Sequence, residues 1–266
     1  MTITLTVVGC SGSTSGKVSP ASSYLVQAPY QGRTYSLVLD LGPGAFGALY
    51  NYVEPSEVDA IALSHLHPDH CLDVCAFYVA AKYSDPSRPW PRRPIYAPSG
   101  AAGRLAAAYE VPGAADEPGS ITSYFDYQDW QDQQQIGPFT VTTTRVVHPV
   151  EAYAVRLEET AAPTSAALVY SGDTGPCDSL VELANRADLF LVESAFLDDE
   201  SKPANPAGLH LTPRQAAEAG AGAEVKRVVL THIPPWHDPE LARAQALPHF
   251  EGAVVLATAG RTFTVG

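Results

Sequence analysis

The amino-acid sequence predicts an α+β protein in which two β-sheets pack face to face with helices on the outside. Segments of strand character fall into two clusters along the 266 residues, each followed by helical segments. Two of them, residues 58–63 and 228–230, are short apolar runs of the kind buried on both faces. Apolar side chains make up 45% of the chain and are spread along it, enough for a sizeable core and too many for extended disorder. No linker-like stretch separates the clusters, so one domain over residues 1–266 is expected.

The chain opens with an alternating strand over 3–8 that runs into the glycine- and serine-rich stretch 9–16. That stretch lacks the Gly-Lys-Ser/Thr ending of a phosphate-cradling loop and no clear helix follows it, so a mobile loop is expected. Residues 24–26 and 35–40 read as a hairpin around Gln31-Gly32, with Asp40 ending the second strand. Gly42 and Gly44 lead into a short helix near 45–50. After the buried strand 58–63, Pro68 and Asp69 suit a first helical turn, where proline loses no hydrogen bond and an acid meets the positive end of the dipole. That helix should run over about 70–83. Four prolines within 84–94 exclude regular structure and leave a surface loop, a candidate lid. An alanine-rich helix over 99–109 and a second loop over 112–119 follow. Strands are expected over 121–127, 139–147, 153–157 and 167–170, where aromatic and β-branched residues gather; the last leads to Asp173. Helix 177–186 and strand 188–192 lead to Glu193. Thr212 and Pro213 have the cap and first-position chemistry of another helix. Strand 228–230 delivers His232, and helix 239–246 with strands 253–256 and 262–265 completes the chain.

Sixteen basic and twenty-nine acidic residues give a net charge of −13, which repels polyanions and favours a small anionic substrate over a long nucleic acid. No apolar run approaches the roughly 18 residues of a membrane span. Residues 1–4 lack the charged start of a signal peptide, so a cytoplasmic protein with no membrane partner is expected. Cys10, Cys71, Cys75 and Cys177 show no disulfide-framework spacing. Cys71 and Cys75, four apart on a helix, read as buried thiols, because hard carboxylates dominate their surroundings.

The stretch Ser64-His65-Leu66-His67-Pro68-Asp69-His70 concentrates three imidazoles and a carboxylate just past the end of a buried strand. Downstream, His148, Asp173, Glu193, His210 and His232 stand at strand ends or a helix start. Imidazole and carboxylate are standard ligands for zinc and similar ions, about three or four per ion where a position stays open. His65 and His67 supply two from one loop, whereas a helix turn directs Asp69 and His70 elsewhere, which implies a second ion. Two ions roughly 3.5–4 Å apart, sharing a carboxylate for which Asp173 is best placed, suit in-line attack at phosphorus. Singly, each downstream residue has a plainer reading: His148 and His232 as core or surface imidazoles, Asp173 as a turn former, Glu193 and His210 weaker still. The set carries the inference. His237 and His249 read as surface residues.

His65, His67, Asp69 and His70 meet the pattern His-x-His-x-Asp-His, and in this the chain resembles the metallo-β-lactamase superfamily. The resemblance implies an αββα sandwich of two pseudo-symmetric halves, two mixed sheets flanked by helices, with metals at one edge. It gives His65, His67 and His148 to one ion, Asp69, His70 and His232 to the other, and Asp173 to both. The stretches Val192-Glu193-Ser194-Ala195-Phe196, His210-Leu211-Thr212 and Leu230-Thr231-His232 resemble the phosphodiesterase branch that includes the tRNA 3′-processing endonucleases. By that likeness Glu193 orients His210, His210 faces the phosphate, and Asp40 hydrogen-bonds a ligating histidine.

Bacterial endonucleases of that branch carry a long basic arm, commonly between the third and fourth metal motifs. Here His148 and Asp173 are 25 residues apart, and strands fill the interval except for a turn over 158–165. The whole chain is similar to actinobacterial proteins of this fold described as atypical cyclic-nucleotide phosphodiesterases. The resemblance implies hydrolysis of a 3′,5′-cyclic nucleotide such as cAMP to its 5′-monophosphate, with Asp69 orienting the nucleophile, and it suggests a homodimer. Zinc heads the list of cofactors, with manganese and iron compatible with the same ligands. Trp236, Tyr83 and Trp90 are candidates to stack on the base. A tRNA 3′-processing endonuclease, a hydrolase of a thioester, lactone or sulfate ester, and a metal-dependent binding module without turnover are the alternative readings.

Overall fold

The computed structural model describes residues 3–110, 119–160, 166–198 and 208–266. Strands β1 (Ile3–Gly9), β2 (Ser23–Tyr30), β3 (Arg33–Leu39), β4 (Ala60–Ala62), β5 (Pro94–Ala97) and β6 (Asp126–Asp129) lie side by side in one sheet. Strands β7 (Gln133–Ile136), β8 (Phe139–Arg145), β9 (Tyr153–Glu159), β10 (Ala167–Tyr170), β11 (Leu189–Glu193), β12 (Arg227–Thr231) and β13 (Ala253–Leu256) form a second. The last strand, β14 (Thr262–Val265), crosses back to pair antiparallel with β1 at the edge of the first sheet. Helices α1 (Ala45–Leu49), α2 (Pro68–Cys71), α3 (Asp73–Tyr83), α4 (Ala101–Tyr109) and α5 (Ile121–Tyr124) belong to the first half, and α6 (Asp178–Ala184), α7 (Pro213–Gly222) and α8 (Pro239–Ala246) to the second.

The strand period of two divides the apolar side chains between layers. Leu5, Val26 and Leu37 of the first sheet meet Phe139, Leu157, Leu168 and Leu191 of the second in the central core. Alternate residues face outward: Val169, Phe190 and Val228 pack under Leu180 and Ala216 of the helices, while Ile61 and Ile95 pack under Val74, Phe77 and Leu105. Each such side chain contributes about 1.5–3 kcal/mol by leaving water. The result is the expected αββα sandwich.

Strands β3 to β6 run parallel to one another, as do β10 to β13. Their carboxyl ends therefore collect at one edge of the sandwich, where open parallel sheets place their ligand sites. Asp40, Ser64, Asp173, Glu193 and His232 all stand at or just past such ends.

Several expected elements are differently drawn. The helix foreseen over 70–83 is two, broken at Leu72. The Leu41 backbone enters the break: Leu41 N–H donates to His70 O at 2.7 Å, and Asp73 N–H donates to Leu41 O at 3.0 Å instead of continuing the ladder to Asp69. Gly42 permits this approach, since a Cβ there would lie 1.9 Å from Asp69 O. The strand foreseen over 121–127 begins only at Asp126, where Pro94 of β5 offers a partner; residues 121–124 coil into α5. β5 and the polar β7 were not foreseen at all. The loop over 112–119 lies outside the described residues except for Gly119, as do 161–165 of the expected turn. The glycine-serine stretch 9–16, expected to be mobile, is tied down: Gly12 N–H donates to Ile233 O at 3.1 Å and Ser11 bridges Ile233.

Candidate metal centre

His65 to His70 leave the end of β4 as a turn followed by α2, with His67 at the cap, Pro68 in the first turn and Asp69 beside the positive end of the helix. This geometry places His65 and His67 in one group of candidate ligands and Asp69 and His70 in another. His65 Nε2 lies 3.1 Å from His67 Nδ1, and His148 Nε2 lies 3.0 Å from the same atom. Three ring nitrogens thus converge on one point. Ligands of a tetrahedral zinc with bonds of 2.0–2.1 Å stand about 3.3 Å apart, close to what is observed.

Asp69, His70, Asp173 and His232 form an adjoining group. His70 Nε2 is 3.2 Å from Asp173 Oδ1 and 3.5 Å from Asp69 Oδ2; His232 Nε2 is 3.2 Å from Asp173 Oδ2 and 3.7 Å from Asp69 Oδ2. Asp173 Oδ2 is also 3.8 Å from His65 Nε2, so this carboxylate stands between the two groups. All seven residues named as candidate ligands from the sequence are therefore brought together.

Outer contacts of His65, His70, His148 and His232 set which ring nitrogen points inward. His70 Nδ1 donates to Asp40 Oδ2 at 2.7 Å. Ser64 Oγ donates to the same oxygen at 2.8 Å and in turn accepts from His65 Nδ1 at 3.1 Å. His148 Nδ1 donates to Leu209 O at 3.0 Å. Ser13 N–H reaches His232 Nε2 at 3.3 Å, which makes that atom an acceptor and leaves Nδ1 to donate to Ser22 Oγ at 2.9 Å. In each of these rings Nδ1 is turned to an outer partner, which leaves Nε2 as the atom facing the centre.

The electrostatics agree. Burial lowers the pKa of His65, His67 and His148 and takes His232 down to about 4, so these rings are neutral near pH 7, the form that can hold a metal. Burial also opposes ionisation of Asp69 and Asp173, but the neighbouring imidazoles, His70 for Asp69 and His232 first for Asp173, hold both carboxyls well below the usual range. His70 is the exception. Burial works against its charge, yet Asp173 and Asp40 outweigh it and raise the ring well above its ordinary value. The Asp173 carboxylate lies 3.2 Å from His70 Nε2, and both atoms are buried without a well-aligned hydrogen-bond partner. A divalent cation between them would satisfy both, and the donor set of imidazoles and carboxylates fits such an ion.

Glu193, at the end of β11, accepts from His210 Nδ1 at 2.9 Å and from Thr174 N–H at 2.8 Å through Oε1, and from Ala195 N–H at 3.1 Å through Oε2. Burial pushes the Glu193 carboxyl up to about 7. His210 sits just before the capping box that Thr212 and Gln215 make at the start of α7. A pocket of about 150 Å³ is lined by Ser13, His67, Asp69, His148, Asp173, Leu209, His210 and His232.

Some expectations do not reach this pocket. Trp236 and Tyr83 are 65% and 69% exposed and Trp90 packs edge-on to Phe77; none of the three lines it, and neither does any residue of the loop over 84–94 proposed as a lid. Arg92 instead ties that loop to Phe125 O, and Arg93 to Ser56 O. Conversely, Ser13, Ser22, Ser64 and Tyr170 escaped the sequence reading. Only Ser64 carried a signal, its place beside His65.

A sequence profile of the beta-lactamase superfamily domain matches residues 35–233. The chain belongs to the metallo-β-lactamase superfamily. An uncharacterized protein of Mycobacterium leprae is 41% identical to this superfamily member over 267 residues, spanning 100% of this chain and 89% of the relative. The probable metallo-hydrolase YhfI of Bacillus subtilis is 30% identical over 261 residues, spanning 96% of this chain and 97% of YhfI. The crystal structure of YhfI superposes with a TM-score of 0.84 at 26% identity, covering 99% of this chain and 100% of that one. Ribonuclease Z of Salinispora arenicola is 28% identical over 266 residues, spanning 83% of this chain and 84% of the relative. This superfamily member is a metal-dependent hydrolase related to the phosphodiesterase and ribonuclease Z branch. Among the described residues no helix is long and apolar enough to cross a membrane.

Proposed function

We propose that this chain is a binuclear-metal phosphodiesterase that hydrolyses a small phosphodiester, a 3′,5′-cyclic nucleotide, to the 5′-monophosphate. The observation that carries the reading is the meeting of two ligand groups at Asp173 in one pocket that the Glu193–His210 pair also borders. His65, His67 and His148 would hold one divalent ion, Asp69, His70 and His232 the other, and Asp173 both, with zinc ahead of manganese and iron. When bound, the ions would supply Lewis-acid neutralisation of phosphoryl charge and activation of water.

The chain's own groups do the rest. Asp69 lines the pocket as an ionised carboxylate and accepts a hydrogen bond from the attacking water, fixing its approach to phosphorus. His210 has Nδ1 committed to Glu193, so it meets the substrate through Nε2. Burial would discharge this ring, but Glu193 outweighs burial and raises its pKa, which keeps a proton available for the phosphoryl oxygen or the leaving 3′ oxygen. A small substrate is supported by the net charge of −13 and by the short link between β9 and β10, residues 160–166, which leaves no room for a basic RNA-holding arm.

One assay panel tests this on purified protein reconstituted with zinc or manganese: cyclic AMP, cyclic GMP, a 2′,3′-cyclic nucleotide, bis(p-nitrophenyl) phosphate and precursor tRNA. Turnover of a 3′,5′-cyclic nucleotide to the 5′-monophosphate is expected. Preferential cleavage of precursor tRNA would replace the proposal with an endonuclease, and inertness toward every phosphodiester would end it.

A further inference from the structure

We infer that Tyr170 is a positioning residue of the metal centre, its buried hydroxyl tying the two sheets together at Asp40 so that one carboxylate aims an imidazole of each ligand group. The inference rests on the assignment of those imidazoles to metal ions.

Tyr170 is the last residue of β10, in the second sheet, and is buried in the central core. Its hydroxyl donates to Asp40 Oδ2 at 2.7 Å. Asp40 immediately follows β3 of the first sheet, fully buried, in the left-handed region at φ +55°. The same carboxylate accepts from His70 Nδ1 and from Ser64 Oγ, which accepts in turn from His65 Nδ1, while Oδ1 accepts from Ser64 N–H at 2.7 Å. Asp40 thereby orients His70 directly and His65 through one hydroxyl.

The donors differ in origin. Ser64 and His70 come from the first sheet and the helix that follows it. Tyr170 comes from the second sheet, and three residues further its segment delivers Asp173, the carboxylate shared by both ligand groups. The distance between His70 Nε2 and Asp173 Oδ1 therefore depends on how the two sheets are held at this point, and the Tyr170–Asp40 bond joins the segments that carry those two atoms. The Tyr170 ring is itself braced by Tyr24, with centroids 5.0 Å apart, and the Tyr24 hydroxyl lies 2.7 Å from Thr231 Oγ1 beside His232. Burial first and the Asp40 charge second push the Tyr170 phenol well above its usual value, so it stays a donor.

Tyr170→Phe keeps the ring and removes the donor. Zinc affinity is measured by competition with a chromophoric chelator and stoichiometry by elemental analysis. We expect the wild-type chain to bind two ions, and the variant to bind one of them about 10–100-fold more weakly, as for loss of other outer contacts to metal ligands, so that it holds one ion at limiting zinc. Tyr78→Phe, which loses a hydroxyl bond to Gly119 O at a residue outside both ligand groups and the pocket, should bind both ions as wild type does. Placing 4-aminophenylalanine at position 170 restores a donor and should restore affinity. Wild-type affinity for both ions in Tyr170→Phe overturns the inference. Should that variant fail to fold, the 4-aminophenylalanine chain decides, weakened binding there overturning it. A wild-type chain that binds no metal would instead overturn the proposed function.

Discussion

Replacing Glu193 by glutamine should move the alkaline limb of the pH–rate profile downward and slow turnover while bound metal stays constant. The Glu193 carboxylate is fully buried and receives three donors, His210 Nδ1 among them at 2.9 Å. Burial raises Glu193 to about 7 against the pull of His210, and Glu193 in return raises His210 against the burial that would discharge it. The pair therefore retains a shared proton as the pH rises through neutrality. A folded pKa above the unfolded one adds stability that is complete below the unfolded value, 4.5 for Glu193 and 6.5 for His210, and disappears as the pH rises through the folded value. The protonated, productive pair is thus lost on the alkaline side. Glutamine is nearly isosteric and keeps one oxygen for His210 Nδ1–H and Thr174 N–H, with its NH2 beside Ala195 N–H, and it removes the charge that favours protonated His210. A hydrogen bond to a charged group contributes about 1.5–3 kcal/mol, and at 1.36 kcal/mol per pH unit the limb should fall by about one to two units. On the alkaline side of the wild-type limb this corresponds to a loss of about 10–100-fold in kcat. The assay is kcat against pH with bis(p-nitrophenyl) phosphate, alongside zinc content. An alkaline limb left in its wild-type position would refute the role of the pair, and loss of metal would move Glu193 into the ligand set.

His67→Ala and Asp173→Ala should each reduce turnover to background with the circular-dichroism spectrum retained, because each removes a converging ligand; undiminished activity in either would refute the binuclear reading. Stripping the metal with a chelator should lower the melting temperature: an ion at 100 times its dissociation constant stabilises by about 2.7 kcal/mol, or about 5–10 °C for a chain of this size, and zinc should restore it in calorimetry. Gly12→Ala should cost about 3 kcal/mol in urea unfolding and weaken zinc binding, since its Cβ would lie 2.2 Å from His232 O. Gly32→Ala, at φ +81° with nothing within 4 Å, should cost only about 1 kcal/mol and leave zinc binding intact, so equal losses in the two would count against a clamp on His232.

The order of the strands past residue 121 shows where local signals failed. The aromatic and β-branched residues over 121–125 favour a strand, but no neighbouring strand begins until Pro94, so α5 forms there instead. The glutamines of β7 carry no apolar alternation because this strand lies at an exposed edge beside β8. The break at Leu72 depends on the Leu41 backbone, thirty-one residues away in sequence, and no helical periodicity announces it.

By itself the sequence determined the candidate ligands, the strand ends that carry them and the helix start at Pro68 and Asp69, because these depend on residue type and on periods within a few positions. Only the tertiary structure decided that β14 returns to the first sheet, that Ser13 and Ser22 attend His232, and that Tyr170 of one sheet meets Asp40 of the other. Such partners stand 130 to 219 residues apart, and a single serine or tyrosine shows no period by which its distant acceptor can be recognised. Their geometry comes from two sheets closing on a common core, a condition that belongs to the whole chain and to no segment of it.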